Sequence, residues 1–246
     1  MSRQVLPFPL PSGKTDADAR IIADEFTSRP REYEESRRRL GITLERAYLQ
    51  KTPMGNFVVA YIESSGDYAS TIPLMAGSSL DLDRYFVRMV KEIHGVDLTQ
   101  PMPSTPETVA AWFDPYIAIR GRGMAFCMPI IPEQVDRARS YVAQAYASSE
   151  FAESRRALGE NGEVATLLDT PMGPIVSVYL EGIDPFDANR RFAASTAPYD
   201  VSFKDELRSM FPAAIDFGKP IEGVEEIFDS TKVASLAGGE SARRVA

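Results

Sequence analysis

The sequence predicts an α+β fold made of two repeated β-α-β-β-α-β units, on three observations. The first is a motif that occurs twice. Glu35-Ser36-Arg37-Arg38, Leu40-Gly41 and Thr52-Pro53-Met54-Gly55, leading to Tyr61 and Glu63, recur as Glu153-Ser154-Arg155-Arg156, Leu158-Gly159 and Thr170-Pro171-Met172-Gly173, leading to Tyr179 and Glu181. The offset is 118 residues throughout, and residues 35–63 share 16 identities in 29 positions with 153–181, which marks a duplication. The second is the hairpin at the centre of each copy: a Thr-Pro-Met-Gly type I turn between two strand-like runs. The third is apolar residues at helical spacing on both sides of each hairpin.

Residues 4–10 are apolar but hold Pro7 and Pro9, which suits an edge strand because proline cannot donate to a ladder. Thr15 is placed to cap a helix, with Asp16 and Asp18 near the positive end of its dipole. Ala19, Ile22, Ala23 and Phe26 line one side of it. Pro30 interrupts the helix, which resumes to Leu40 and stops at Gly41. Residues 43–51 and 56–63 are the hairpin strands. Residues 68–76 and 80–93 are helical, the second with an apolar stripe through Leu82, Phe86, Met89, Val90 and Ile93. After Gly95, Val96-Asp97-Leu98 is expected to be a short final strand.

The second unit repeats this order, the ferredoxin-like one. Residues 126–131 are its first strand, and one helix is expected from Pro132 to Gly159. Strands at 163–169 and 174–181 precede a helix across roughly 187–210, and Ile215-Asp216-Phe217 matches the short strand of unit one. Residues 109–114 resemble 224–229, so each unit is expected to end in a short helical or extended appendage. The expected division is a first repeat over 1–118, a second over 119–229 and a disordered, dispensable tail over 230–246.

Composition narrows the function. Hydrophobic residues are 44% and charged residues 25%, a globular balance. The net charge of −8 opposes both a broad nucleic-acid surface and an anionic membrane. Cys127 is the single cysteine, so no intrachain disulfide forms, as in a reducing compartment. The proline-broken N-terminus is not expected to be a signal peptide, and no apolar run is long enough to span a bilayer, so the expected location is the cytoplasm.

Pro11, Gly13-Lys14-Thr15, Glu35 to Ile42, Pro53-Met54-Gly55 and Glu92-Ile93-His94-Gly95-Val96-Asp97-Leu98 resemble uncharacterised bacterial proteins of the dimeric α/β-barrel superfamily. That group is ferredoxin-like and includes cofactor-free monooxygenases, stress-responsive barrel proteins and haem-using relatives. The resemblance covers roughly 4–114 and 123–229. It implies that the two units form an intramolecular pseudo-dimeric barrel, as a monomer or a homodimer. The implied functions are small-molecule binding between two sheets with cofactor-free oxygenase chemistry, or non-catalytic binding or assembly. The motifs carry fold and transfer no catalytic residue.

Candidate residues follow from chemistry. Gly13-Lys14-Thr15 lacks the upstream glycine of a phosphate loop, since Phe8 stands there. Gly121-Arg122-Gly123 is a turn. Cys127 suits a buried inert thiol and Trp112 a packing role. Arg37 to Arg39 and Arg155-Arg156 read as a solvated face, with an anion site as the alternative. One histidine and one cysteine leave no cluster for zinc or haem, so no cofactor and no metal is expected. His94 and Asp97 are the candidate catalytic groups, His94 serving as a base, as a single haem ligand or simply as a polar helix end. Arg46, Tyr48 and Gln50 alternate onto one strand face, where unit two has Val164, Thr166 and Leu168. They are the candidate ligand-binding residues, with solvent exposure at a sheet edge as the alternative. Ala47 and Leu49 on the other face should meet the helices.

Overall fold

The computed structural model describes residues 1–101, 104–117 and 120–233. It is α+β, with two four-stranded sheets carried by two repeated ferredoxin-like units. The chain runs β1 (Ser2–Leu10), α1 (Asp16–Ser28), α2 (Pro30–Leu40), β2 (Ile42–Thr52), β3 (Gly55–Ser64), α3 (Tyr68–Ala76), α4 (Asp81–His94) and β4 (Glu107–Phe113). It continues with β5 (Arg122–Pro129), α5 (Val135–Tyr146), α6 (Ser149–Leu158), β6 (Glu160–Thr170), β7 (Gly173–Gly182), α7 (Pro185–Ala194), α8 (Pro198–Arg208) and β8 (Val224–Asp229). Among the described residues no helix is long and apolar enough to cross a bilayer.

Sheet order corrects the expected boundaries. One sheet is β1-β3-β2-β8 and the other β4-β6-β7-β5. The compact units are therefore 1–103 with 225–246, and 104–224. Each appendage is a strand, and each belongs to the unit formed by the opposite half of the chain. Residues 96–98 and 215–217 are irregular, so the short final strands expected there do not form. Position 4 of each sheet is filled instead by β8, beside β2, or by β4, antiparallel to β6.

Unit one is built from local rules that the sequence carries. Thr15 closes a capping box with Asp18, which starts α1. Gly41 takes a left-handed φ of 69° and ends α2, where a residue with Cβ would be strained. β1 pairs only with β3, so Pro7 and Pro9 sit on an edge and cost no ladder bond. Leu6, Ile62, Leu49, Val58 and Ala47 face the helices and pack against Ile22, Phe86, Val90 and Ile93.

Unit two departs from expectation in its helices. The expected 132–159 helix is a short 3₁₀ turn at Pro132–Gln134 followed by α5 and α6. The break comes because Ser148 leaves helical geometry and accepts the Phe151 backbone N–H, restarting the chain as α6. The expected 187–210 helix is likewise two, because Pro198 suits a first helical position and cannot continue α7. Phe151, Phe203, Met210 and Phe211 form the centre of this core.

The tail expectation also changes. Residues 234–246 lie outside the described residues, but Ser230 to Val233 start a helix. Val233 is 1% exposed and packs with Phe26, Tyr33, Leu82 and Phe228. Ser230 Oγ accepts the Glu45 backbone N–H at 3.1 Å. Val233→Ala should therefore cost about 2 kcal/mol of stability, and deletion of 230–246 more. Urea midpoints of the two variants test this; midpoints equal to wild type would show that the segment does not dock.

Candidate functional site

Each unit has a small apolar cavity between its sheet and its helices. The unit-one cavity is about 70 Å³, and Phe8, Ile22, Phe86, Val90, Leu98 and His94 are among its walls. The unit-two cavity is about 90 Å³, with Phe126, Val142, Phe192, Phe203 and Leu207 among its walls. Both are smaller than the 150 Å³ cavity that holds benzene in an engineered core, so their ligands would have few heavy atoms.

His94 ends α4 and is 6% exposed. Its Nδ1 lies 3.0 Å from the Pro9 carbonyl oxygen. A carbonyl only accepts, so Nδ1 carries the hydrogen and Nε2 holds a lone pair. Burial pushes its pKa below the usual imidazole value, against the Pro9 hydrogen bond, so the ring is neutral at pH 7. A neutral imidazole in an apolar wall is chemically a base. Phe8 packs against the ring at 5.5 Å between centroids, which fixes its tilt.

Asp97 does not join it. It bonds Lys91 Nζ at 2.6 Å and Thr99 Oγ1 at 2.6 Å, outside the cavity wall. Those bonds hold its carboxyl at about 2, so it is a fixed anion on a surface turn.

Arg46, Tyr48 and Gln50 stand on the other face of β2, at 2%, 0% and 3% exposure. The alternative of solvent exposure is thereby removed. Arg46 Nε meets Asp229 Oδ2 of β8 at 3.1 Å. The same face carries Tyr61, whose hydroxyl donates to Glu63 at 2.5 Å, and Arg3, whose Nε donates to Glu63 at 3.0 Å. Unit two repeats that arrangement with Tyr179, Glu181 and Arg120. Side chains alternate across a strand, so His94 and the Arg46-Tyr48-Gln50 set lie on opposite faces of one sheet and do not form one site.

The motif arginines are the groups that sequence reasoning misplaced. Arg37 and Arg155 are 4% and 3% exposed, not solvated. Arg37 Nε donates to Glu45 at 2.8 Å, and Tyr33 donates to the same carboxylate at 3.0 Å. Ser36 donates to Asp83 beside it. Arg155 Nε donates to Glu163 at 2.5 Å, Tyr146 donates to Glu163, and Ser154 donates to Asp200 at 2.5 Å. Each guanidinium lies over a phenylalanine, at 4.4 Å from Phe26 and 4.3 Å from Phe151. Buried arginine needs such pairing, and the signal for it was the recurrence of Ser-Arg with a glutamate eight residues on. Arg38 and Arg39 are exposed, as expected.

Unit two adds a third carboxylate, Glu160, where unit one has Ile42. Glu160 is 3% exposed and lines the cavity with Glu163 and Arg155. Its nearest cation is Arg155 Nε, at 3.5 Å from Oε2. Burial, opposed by Arg155 and reinforced by Glu163, pushes its carboxyl up to about 8. Cys127 is buried and its thiol is pushed up to about 12, an unreactive form. Among the described residues no three His, Cys, Asp or Glu side chains gather in a metal-binding group.

No protein-family model and no curated protein matches the chain. Among solved structures, it is similar to the crystal structure of a candidate monooxygenase from Fusobacterium nucleatum subsp. nucleatum. The two are 12% identical, the alignment covers 91% of this chain and 88% of that one, and the TM-score is 0.44. No residue role passes between chains at that level of similarity.

Proposed function

We propose that this protein binds a small organic molecule in the cavity of unit one and that His94 acts on it as a base. The observation that carries this reading is a neutral, buried imidazole in the wall of a small apolar cavity. Its Nδ1–H is committed to Pro9, which leaves Nε2 as the group able to take a proton. The reaction class that suits such a base is the cofactor-free oxygenation implied by the family resemblance. There a base removes a proton from an activated ligand, and the resulting anion reacts with dioxygen. Asp97 has no part in this reading. Arg46, Tyr48 and Gln50 remain a candidate polar surface for a ligand's charged or hydroxyl group, on their own face of the sheet.

His94 is the only histidine, so its imidazole NMR signals are unambiguous. The expected result is a titration midpoint below 6.5, with Nε2 shifting on addition of a ligand that fits and His94→Gln abolishing any oxygen uptake. A freely exchanging ring with an ordinary midpoint, unmoved by carbonyl compounds of a few heavy atoms such as acetone, would overturn the reading.

A further inference from the structure

We infer that Glu160 is the polar anchor of a second ligand site, in unit two, which takes a small apolar molecule bearing one hydroxyl group. Most polar groups at this cavity are already engaged or exposed. Tyr146 and Arg155 both bond Glu163. Asn189 is held on both sides by Ile221, donating to its carbonyl at 3.0 Å and accepting its N–H at 3.3 Å. Lys219 is largely exposed. Glu160 Oε2 is the exception: it is buried, its ion pair with Arg155 Nε is long at 3.5 Å, and it accepts no hydrogen bond among the described residues.

A buried oxygen left in that state costs about 1–3 kcal/mol, so the chain retains something unfavourable that a bound donor would relieve. A ligand with one donor and an otherwise apolar body matches the remaining walls. Its charge should be zero. Arg155 already faces Glu163 and Glu160, two carboxylates against one guanidinium. Glu160 Oε2 offers lone pairs that accept, and a hydroxyl group donates to them.

Unit one has Ile42 at the matching position, with the same turn of backbone, so no carboxylate stands at that place in its cavity. The site shares no residue with the His94 cavity, so the two readings fail separately.

The experiment uses the full chain with propan-1-ol as the hydroxyl probe and xenon as the apolar one. Binding is followed by methyl NMR of unit-two residues such as Val142 and Leu207, with His94 as the reporter for unit one. Propan-1-ol should shift the unit-two methyls, whether or not His94 also responds. Glu160→Ile should weaken propan-1-ol about tenfold, the size of one buried hydrogen bond, while xenon binding persists. Glu160→Gln, which keeps an acceptor, should stay within about threefold of wild type by the same reasoning. Propan-1-ol affinity unchanged in Glu160→Ile overturns the inference. So does loss of both probes in both variants, or a response confined to His94.

Discussion

Cut between residues 118 and 119, the chain should yield two fragments that do not fold. Each sheet takes one strand from the far side of that cut. Fragment 1–118 keeps β1, β2 and β3 but loses β8, and with it the Asp229 carboxylate bonded to buried Arg46. It also loses Phe228 and Val233 from the cluster around Phe26 and Tyr33. Fragment 119–246 loses β4, including Trp112, which packs edge-on against Phe151. It also loses Asp114, which accepts from Arg156 at 2.6 Å. Truncating one buried phenylalanine costs about 3–5 kcal/mol, and breaking a buried ion pair about as much. Together these rival the whole stability of an ordinary domain, about 5–15 kcal/mol. Circular dichroism melts should show no cooperative transition for either fragment, and mixing them should restore one. A fragment cut at the unit boundary, 104–224, retains all four of its strands and should melt cooperatively. Two stable, monomeric fragments from the 118/119 cut would refute the strand assignment.

Glu160→Gln should stabilise the protein, and increasingly so as pH rises. The folded carboxyl titrates at about 8, against about 4.3 for a glutamate in an unfolded chain. Between those values the folded state binds the extra proton. The stability this confers is complete below the unfolded value and is lost as pH climbs through the folded one. Above pH 8 the wild type must either carry a third buried carboxylate beside Glu163 and Asp200, with Arg155 as the facing cation, or open. Tyr146 does not relieve it, because burial and Glu163 hold that phenol protonated well beyond this range. Glutamine keeps the shape and removes the titration. The two stability curves should diverge steadily from about pH 5 to about pH 8 and run parallel above it, on the order of 5 kcal/mol apart. Curves that stay parallel from pH 5 to 9 would mean that Glu160 is already ionised at neutral pH.

What the sequence determined by itself was the repeat, most element ends and the strand faces, while helix breaks at Ser148 and Pro198 and the missing strands at 96–98 and 215–217 escaped it. The 118-residue offset gave two units; Thr15 with Asp18, Gly41 and the Thr-Pro-Met-Gly turns gave element ends; strand alternation put Ala47 and Leu49 against the helices. These depend on interactions within a few residues, so the amino acids involved announce them. Tertiary structure decided which strand joins which sheet, because 107–113 and 224–229 satisfy their backbone equally well beside any open edge. It also decided the chemistry. Arg37 and Arg155 looked like surface charges until helix and strand brought Glu45 and Glu163 to them. Glu160 and Glu163 are three apart, a spacing that puts side chains on opposite faces of a regular strand. A bulge between Glu160 and Gly162 reverses that, and both carboxylates turn to the same cavity. Gly162 has its own reason to be there: a Cβ would lie 2.5 Å from the Phe113 ring of β4. That strand arrives from 49 residues earlier in the chain, and no local rule foretells its contact.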